Sequence, residues 1–306
     1  MSQAAIIVNP TKLDDAAKSR QAVDEVCERH GQPRPLWIET TEDDPGGGQT
    51  RQALDEGADL VCALGGDGTV RAVAEVLAGT DVPLGLLPAG TGNLLARALE
   101  LSIGSLEDAM ELALTGRTTR IDVGTLRVDG AAQEKVFVVM AGMGMDAEIM
   151  DTTDERLKSA VGWPAYVVAG LRALRGSGFA ARVQADQGPT VRRKARMVVV
   201  GNSGKLRGGV ALLPDAVLDD GLLDVAVLAP RGPIGWIRTT ASVLAAERGH
   251  DEDHQELARV QAPAFRVSAD RPTATQLDGD PVGEHRRIEC RVRAGALLVR
   301  VDTEAS

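Results

Sequence analysis

Residues 60–79, LVCALGGDGTVRAVAEVLAG, constrain this chain more than any other stretch. An apolar strand over residues 60–64 stops at Gly65-Gly66-Asp67-Gly68-Thr69, and an amphipathic helix starts at once. The three glycines remove the Cβ atoms that would hold a phosphate off the backbone. They also tolerate positive φ, so successive N–H groups can turn toward an anion at the helix N-terminus. Asp67 in the middle of such a loop needs a reason. A carboxylate beside a phosphate makes sense where a divalent cation sits between them, or where it holds water or a catalytic partner. The plain alternative is a tight strand-to-helix turn with Asp67 or Thr69 as N-cap.

A second loop of the same type follows. Residues 82–87, VPLGLL, read as a buried strand, Pro88-Ala89-Gly90-Thr91-Gly92-Asn93 as a turn, and LLARALEL as the start of a helix. Two tandem strand–loop–helix units predict a parallel sheet whose loops gather at the carboxyl ends of the strands, where ligands bind. Residues 4–8 form another apolar strand ending in Asn9-Pro10-Thr11, and LWIET, residues 36–40, is a strand that runs out into Thr40-Thr41. Four strand ends are expected to face one crevice.

In order along the chain, VNPT, GGDGT, LLPAGTGNLLARAL, RIDVG, AGMGMDAEIM, LKSAVGWPAYVVAGLRAL, LPDAVLDDGLLDV and LDGDPVG resemble the diacylglycerol kinase catalytic-domain family. Within it the chain is most similar to the soluble bacterial lipid kinases, relatives of the sphingosine kinases and more distantly of NAD kinase. The resemblance runs from Ile7 to about Gly283. It implies an ATP-dependent, Mg²⁺-dependent lipid kinase that phosphorylates a hydroxyl of a diacylglycerol-like or long-chain-base lipid. Asn9, Thr40 (or Thr41), Gly65, Gly66, Asp67, Gly68, Thr69, Gly90, Thr91 and Asn93 would then contact the nucleotide, and Asp67 would organise Mg²⁺ and water near the transferred phosphate. The family often carries Asn-Glu after GGDGT and Asn-Asp at the second loop. Here those pairs are Arg71-Ala72 and Asn93-Leu94, so Arg71 would supply positive charge to a phosphate.

Three further acidic segments matter. Asp122 reads as a strand-end acid beside a domain boundary, either a site carboxylate or a turn residue. Leu277-Asp278-Gly279-Asp280 reads as a hairpin turn. By resemblance the general base follows this Asp-Gly, usually as Glu, so Asp280 takes that place one methylene shorter. Leu218-Asp219-Asp220-Gly221-Leu222 reads as an oxygen-rich cation site or a charged turn; the resemblance makes it a structural Mg²⁺ site, with the Asp220 side chain and the carbonyls of Val217 and Leu222 as ligands. Gly208-Gly209 and Arg207 would lie near the acceptor. His250 and His254 have i, i+4 spacing among acids, but a solvated loop is the base expectation without a third ligand.

Composition excludes other classes. The net charge is -10 and aromatics are 2% of the 306 residues, which argues against nucleic-acid binding through a basic groove and stacking platforms. No apolar run approaches the ~20 residues that cross a bilayer, and the N-terminus lacks a basic leader region, so a cytoplasmic protein is expected, peripheral at the inner membrane face if its substrate is a lipid. The resemblance also allows a homodimer. Three widely spaced cysteines fit reduced buried thiols. Strand–helix alternation up to Asp122, then short alternating segments, predicts an α/β nucleotide-binding domain over residues 1–122 and a β-rich acceptor domain of antiparallel sandwich type over 123–306. Its final strands, near 296–306, would pack back on the first domain, and the crevice between domains is the expected site. There is no Walker P-loop and no G-x-S-x-G elbow. The alternative functions are an NAD kinase, which shares GGDGT, or a catalytically silent nucleotide-binding regulator.

Overall fold

The computed structural model describes residues 3–90, 92–101, 103–144, 178–186, 188–204, 213–230, 235 and 257–303. Thr91, Arg207, Gly208, Gly209, His250 and His254 lie outside these residues, as do residues 160–174 and, Gly235 aside, 234–246, two stretches whose sequence reads as helical between the strand segments. The chain divides into two compact units, Met1–Val123 with Ala294–Ser306, and Gly124–Arg293.

The first unit is a parallel α/β layer. Strands β1 (Ala4–Val8), β2 (Leu36–Glu39), β3 (Leu60–Gly65) and β4 (Leu84–Pro88) run in the order β2-β1-β3-β4. Val299, in the last part of β14 (Asp280–Val301), pairs in parallel with Leu84 at the β4 edge. Helices α1 (Ala16–Arg29) and α5 (Leu106–Thr115) pack on one another, burying Val23, Val26, Cys27 and Met110 against Ile6, Cys62 and Leu64. The alternate residues of β1 meet α2 (Gly47–Asp55) and α3 (Asp67–Leu77): a Cβ at Gly46 would lie 3.3 Å from Ile7 Cγ2 and 3.4 Å from Val73 Cγ2. Both sheet faces are therefore covered, which is why AAIIV and LVCALG read as unbroken apolar runs. Gly85 lets α5 approach, since a Cβ there would lie 2.5 Å from Cys62 Sγ and 2.9 Å from Ala113 Cβ.

Local chemistry sets the helix ends. Asp15 caps α1 by accepting the Lys18 N–H at 2.9 Å, and Gly31 follows its end at φ +63°. The stretch EDDPGGG, which reads as a flexible loop, is loop only in its first part, because Gly47 and Gly48 already belong to α2. The reason is Asp44, whose carboxylate accepts the N–H groups of Gly46 at 3.2 Å and Gly48 at 2.9 Å and so supplies the missing cap.

The second unit is antiparallel. Strands β7 (Met140–Met143), β10 (Met197–Gly201), β11 (Leu223–Leu228) and β12 (Leu257–Ala262) form one leaf, continued by the end of β13 (Ala264–Leu277), which pairs with β7. Strands β8 (Phe179–Ala185) and β9 (Thr190–Ala195) pair with the other end of β13 and contact β12 and β11, so the two leaves enclose Phe137, Val183, Val198, Val225, Phe265 and Ile288. Strand β5 (Arg117–Val128) pairs with β6 (Lys135–Phe137) and β14. This is the antiparallel β-sandwich class that the alternating segments predict; HRRIECRVRAG and ALLVRVDT, which read as two short segments broken at the glycine, form one strand, β14, which continues through Gly295 at φ +56°.

Candidate functional site

Parallel register puts the carboxyl ends of β1, β2, β3 and β4 on one edge: Val8 pairs with Glu39 and Leu64, and Gly65 with Pro88. Hydrogen bonds between the loops hold this edge. Asn9 N–H donates to Leu64 O at 2.9 Å, Thr40 N–H to Val8 O at 2.7 Å, and Ala89 N–H to Gly65 O at 3.1 Å. The Asn9 side-chain oxygen accepts the Thr11 N–H at 3.1 Å and the Thr11 hydroxyl at 2.8 Å. The Thr41 hydroxyl accepts the Asp44 N–H at 3.1 Å and is thus spent on its own turn, whereas Thr40 is buried at the strand end.

The two glycine loops touch. A Cβ at Gly90 would lie 3.0 Å from Gly66 Cα, and one at Gly65 would lie 2.7 Å from Thr69 Oγ1. Gly66 is the N-cap of α3 and offers no side-chain cap, so the positive end of the helix dipole meets the loop without a capping side chain. Thr69 is 2% exposed, and Arg71 stands one turn into the same helix. A residue that sequence reasoning passed over joins them: a Cβ at Gly66 would lie 3.9 Å from Lys12 Cε, placing a cation's stem beside the phosphate-type loop. Its position three residues after Asn9 was the available signal.

Asp67 bridges the loops. Its Oδ1 accepts the Leu94 N–H at 2.6 Å, and a Cβ at Gly92 would overlap its Oδ2. Leu94 opens α4 (Leu94–Ala98), whose N-cap Asn93 sits at φ 50° and offers no side-chain cap, so a carboxylate from another helix performs that task. Asp122 lies within β5 rather than at its end. It is 1% exposed, and its Oδ1 accepts the Gly295 N–H at 2.6 Å.

In the second unit, Asp278 and Gly279 form a two-residue hairpin loop between β13 and β14 with φ of 46° and 93°, the left-handed pair that a type I′ turn demands. Asp278 is 2% exposed and accepts three backbone amides, Val138 at 3.0 Å and Val139 and Met140 at 2.9 Å each. Asp280 opens β14 opposite Leu277 and is half-buried. The two carboxylates of DGD thus differ: the first is enclosed by amides of another strand region, and the second stands after the turn.

Asp220 is exposed and accepts the Leu222 N–H at 2.9 Å, beside Gly221 at φ +73°, while Val217 is 49% exposed. Burial pushes the nearby Asp224 carboxyl up to about 6; a Gln261 hydrogen bond opposes this, and the charges of Asp220 and Asp215 reinforce it. Among the described residues no three His, Cys, Asp or Glu side chains converge into a metal-binding group. A cation at Asp220 would therefore depend on carbonyl oxygens and water, which a hard divalent ion accepts.

Comparison with known proteins gives a consistent answer. Residues 3–126 match the diacylglycerol kinase catalytic domain, and residues 138–301 match the YegS C-terminal NAD kinase beta sandwich-like domain. A "Probable lipid kinase YegS-like" protein of Stenotrophomonas maltophilia is 33% identical over 278 residues, covering 87% of each chain. A crystal structure of a diacylglycerol kinase from Bacillus anthracis has a TM-score of 0.71 at 20% identity, covering 100% of this chain and 98% of the other. An NAD kinase from Archaeoglobus fulgidus, solved with ATP, has a TM-score of 0.55 at 13% identity, covering 99% and 94%. These last two likenesses are of fold.

Proposed function

Because the chain belongs to the diacylglycerol kinase catalytic-domain family and is a kinase, we propose that it transfers the γ-phosphate of ATP to a hydroxyl of a diacylglycerol-like or long-chain-base lipid. The observation that carries the reading is the contact between the Gly65–Gly66 and Gly90 backbones with the Asp67 carboxylate between the two loops. The cradle fits a nucleotide's phosphates, since any Cβ at Gly90 would fill the space against Gly66 Cα. Mg²⁺-ATP supplies the transferable phosphoryl group and the charge neutralisation it requires.

The chain's own residues do the rest. First-turn amides of α3 hold phosphate oxygens, with Arg71 and Lys12 adding positive charge, and Asn9 and Thr40 keep the strand-end loops in register. Asp67 would hold water and Mg²⁺ on the phosphate side, while its other task, capping α4, fixes its position. Asp280 takes the acceptor hydroxyl's proton. Asp122 organises β5 through Gly295, and Asp220, with the carbonyls of Val217 and Leu222, would hold a structural Mg²⁺. A lipid substrate makes the protein peripheral to a membrane, at the cytoplasmic face in this reading. Labelled ATP and Mg²⁺ with a panel of diacylglycerol, sphingosine, phosphatidylglycerol, NAD and glycerol tests the whole. Label in a lipid acceptor supports the reading; label in NAD alone would replace it with the NAD kinase alternative, and ATP binding with no transfer would make the protein a regulator.

A further inference from the structure

The outer face of the β9-β8-β13-β14 leaf is basic, in a protein of net charge -10. Strict alternation along β8 and β9 sends Phe179, Ala181, Val183 and Ala185 inward and leaves Arg182, Arg192 and Lys194 exposed. Register then aligns Arg192, Arg182, Ser268 and Arg287 in one row across four strands, with Arg266 in the next row on that face and Arg291 in the one after it. The one carboxylate within these rows, Glu289, is already engaged by Arg266 Nε at 3.1 Å and Arg287 Nε at 4.0 Å. Asp186 stands at the margin, the Asp270 carboxylate accepts the N–H of Ala180, the residue opposite Lys194, at 3.0 Å, and at the β14 edge Asp129 accepts the Arg286 and Arg287 N–H groups at 3.0 and 2.8 Å. No ion-pair partner among the described residues meets Arg182, Arg192 or Lys194.

Two arginines directly opposed across neighbouring strands repel, with Cβ atoms about 5 Å apart. Arg182 and Arg192 form one such pair, with Lys194 beside them opposite Ala180, and its cost in the free protein is relieved by a surface of opposite charge. We infer that this face docks the second unit onto an anionic bilayer surface. The choice of a bilayer rests on the lipid-kinase reading; the need for an extended anionic partner rests on the row itself. The geometry suits lipid headgroups, since strands about 4.8 Å apart spread the cations over a plane rather than into a groove. Nucleic acid is disfavoured because aromatics, 2% of the chain, supply no stacking platform.

Cosedimentation of the full chain with vesicles of phosphatidylcholine alone, or of equal parts phosphatidylcholine and phosphatidylglycerol, tests the inference. Wild type should partition onto the anionic vesicles only, and added salt should release it. Each cation near an anionic leaflet strengthens binding about fivefold, so combining Arg182→Gln, Arg192→Gln and Lys194→Gln should weaken it on the order of 100-fold. Glu289→Gln should tighten it, an opposite sign that misfolding cannot mimic. Equal partition of wild type and triple variant, equal binding to neutral vesicles, or retention of labelled RNA without vesicle binding would each overturn the inference. Phosphorylation of a detergent-dispersed lipid keeps the two readings apart: docking without turnover would sink the kinase reading and leave this surface intact.

Discussion

Asp67 combines two demands that a substitution can separate. Its Oδ1 accepts the Leu94 N–H at 2.6 Å, and an asparagine oxygen can still do so. Asp67→Asn should therefore leave the fold and ATP affinity nearly unchanged while slowing phosphoryl transfer by about 2.7–4 kcal/mol of barrier, the usual scale for a lost electrostatic group. Single-turnover kinetics beside an ATP titration checks this, and equal rates would remove Asp67 from the chemistry. Asp280 offers a second comparison. As general base it is worth roughly 10² to 10⁴ in rate, so Asp280→Asn should fall by that order with ATP binding intact, while Asp280→Glu should retain substantial turnover. If instead Asn is tolerated at wild-type rate, proton removal belongs elsewhere and Asp122 becomes the next residue to test, although its Oδ1 already accepts the Gly295 N–H.

The β13–β14 hairpin shows how an element depends on one buried carboxylate. Asp278 receives three amides from residues 138–140, which ties the turn to the start of β7. Asp278→Asn sets an NH₂ group against one of those donors, and an unsatisfied buried donor costs about 1–3 kcal/mol. A loss of about 3 kcal/mol in urea unfolding is expected, and a loss below about 1 kcal/mol would mean the turn holds without the nest. On the 217–222 turn the outcome depends on Mg²⁺. Asp220→Ala removes the Leu222 hydrogen bond in any buffer, but it should also abolish the rise in melting temperature that Mg²⁺ gives wild type, a gain bounded near ~2.7 kcal/mol at about 100-fold saturation. Equal Mg²⁺ shifts in both proteins would place no cation there. Asp129 carries a smaller electrostatic effect. Burial works against its ionisation, yet the His285 side chain and the Arg287 and Arg286 amides together hold its carboxyl below the ordinary range, so this contribution is present at neutral pH and is lost only on acidification below that range.

Across the whole molecule, a Val, Leu and Ala core in two units hides all three thiols: Cys27, Cys62 and Cys290 are each 0% exposed. Burial raises every one of them above the ordinary thiol range. Ellman's reagent should therefore titrate no thiol in the native protein and three in denaturant; a thiol that reacts in the native state would show that its unit opens readily. Much of the architecture was legible in the amino-acid order. Unbroken apolar runs such as AAIIV and LVCALG, each closed by a polar or glycine turn, read as strands covered on both faces, and the glycines of the loops after β3 and β4 are needed where a Cβ would clash, at Gly65 with Thr69, at Gly90 with Gly66 and at Gly92 with Asp67. The strict alternation of β8 marks a half-exposed antiparallel strand just as plainly. Which carboxylate meets which amide was decided by the tertiary structure alone. Asp67 finds its donor 27 residues away, Asp278 finds one 139 away and Asp122 one 173 away. Every backbone N–H has the same chemistry, so no local pattern says which of them will face a given acid; only the packed chain brings the pair together.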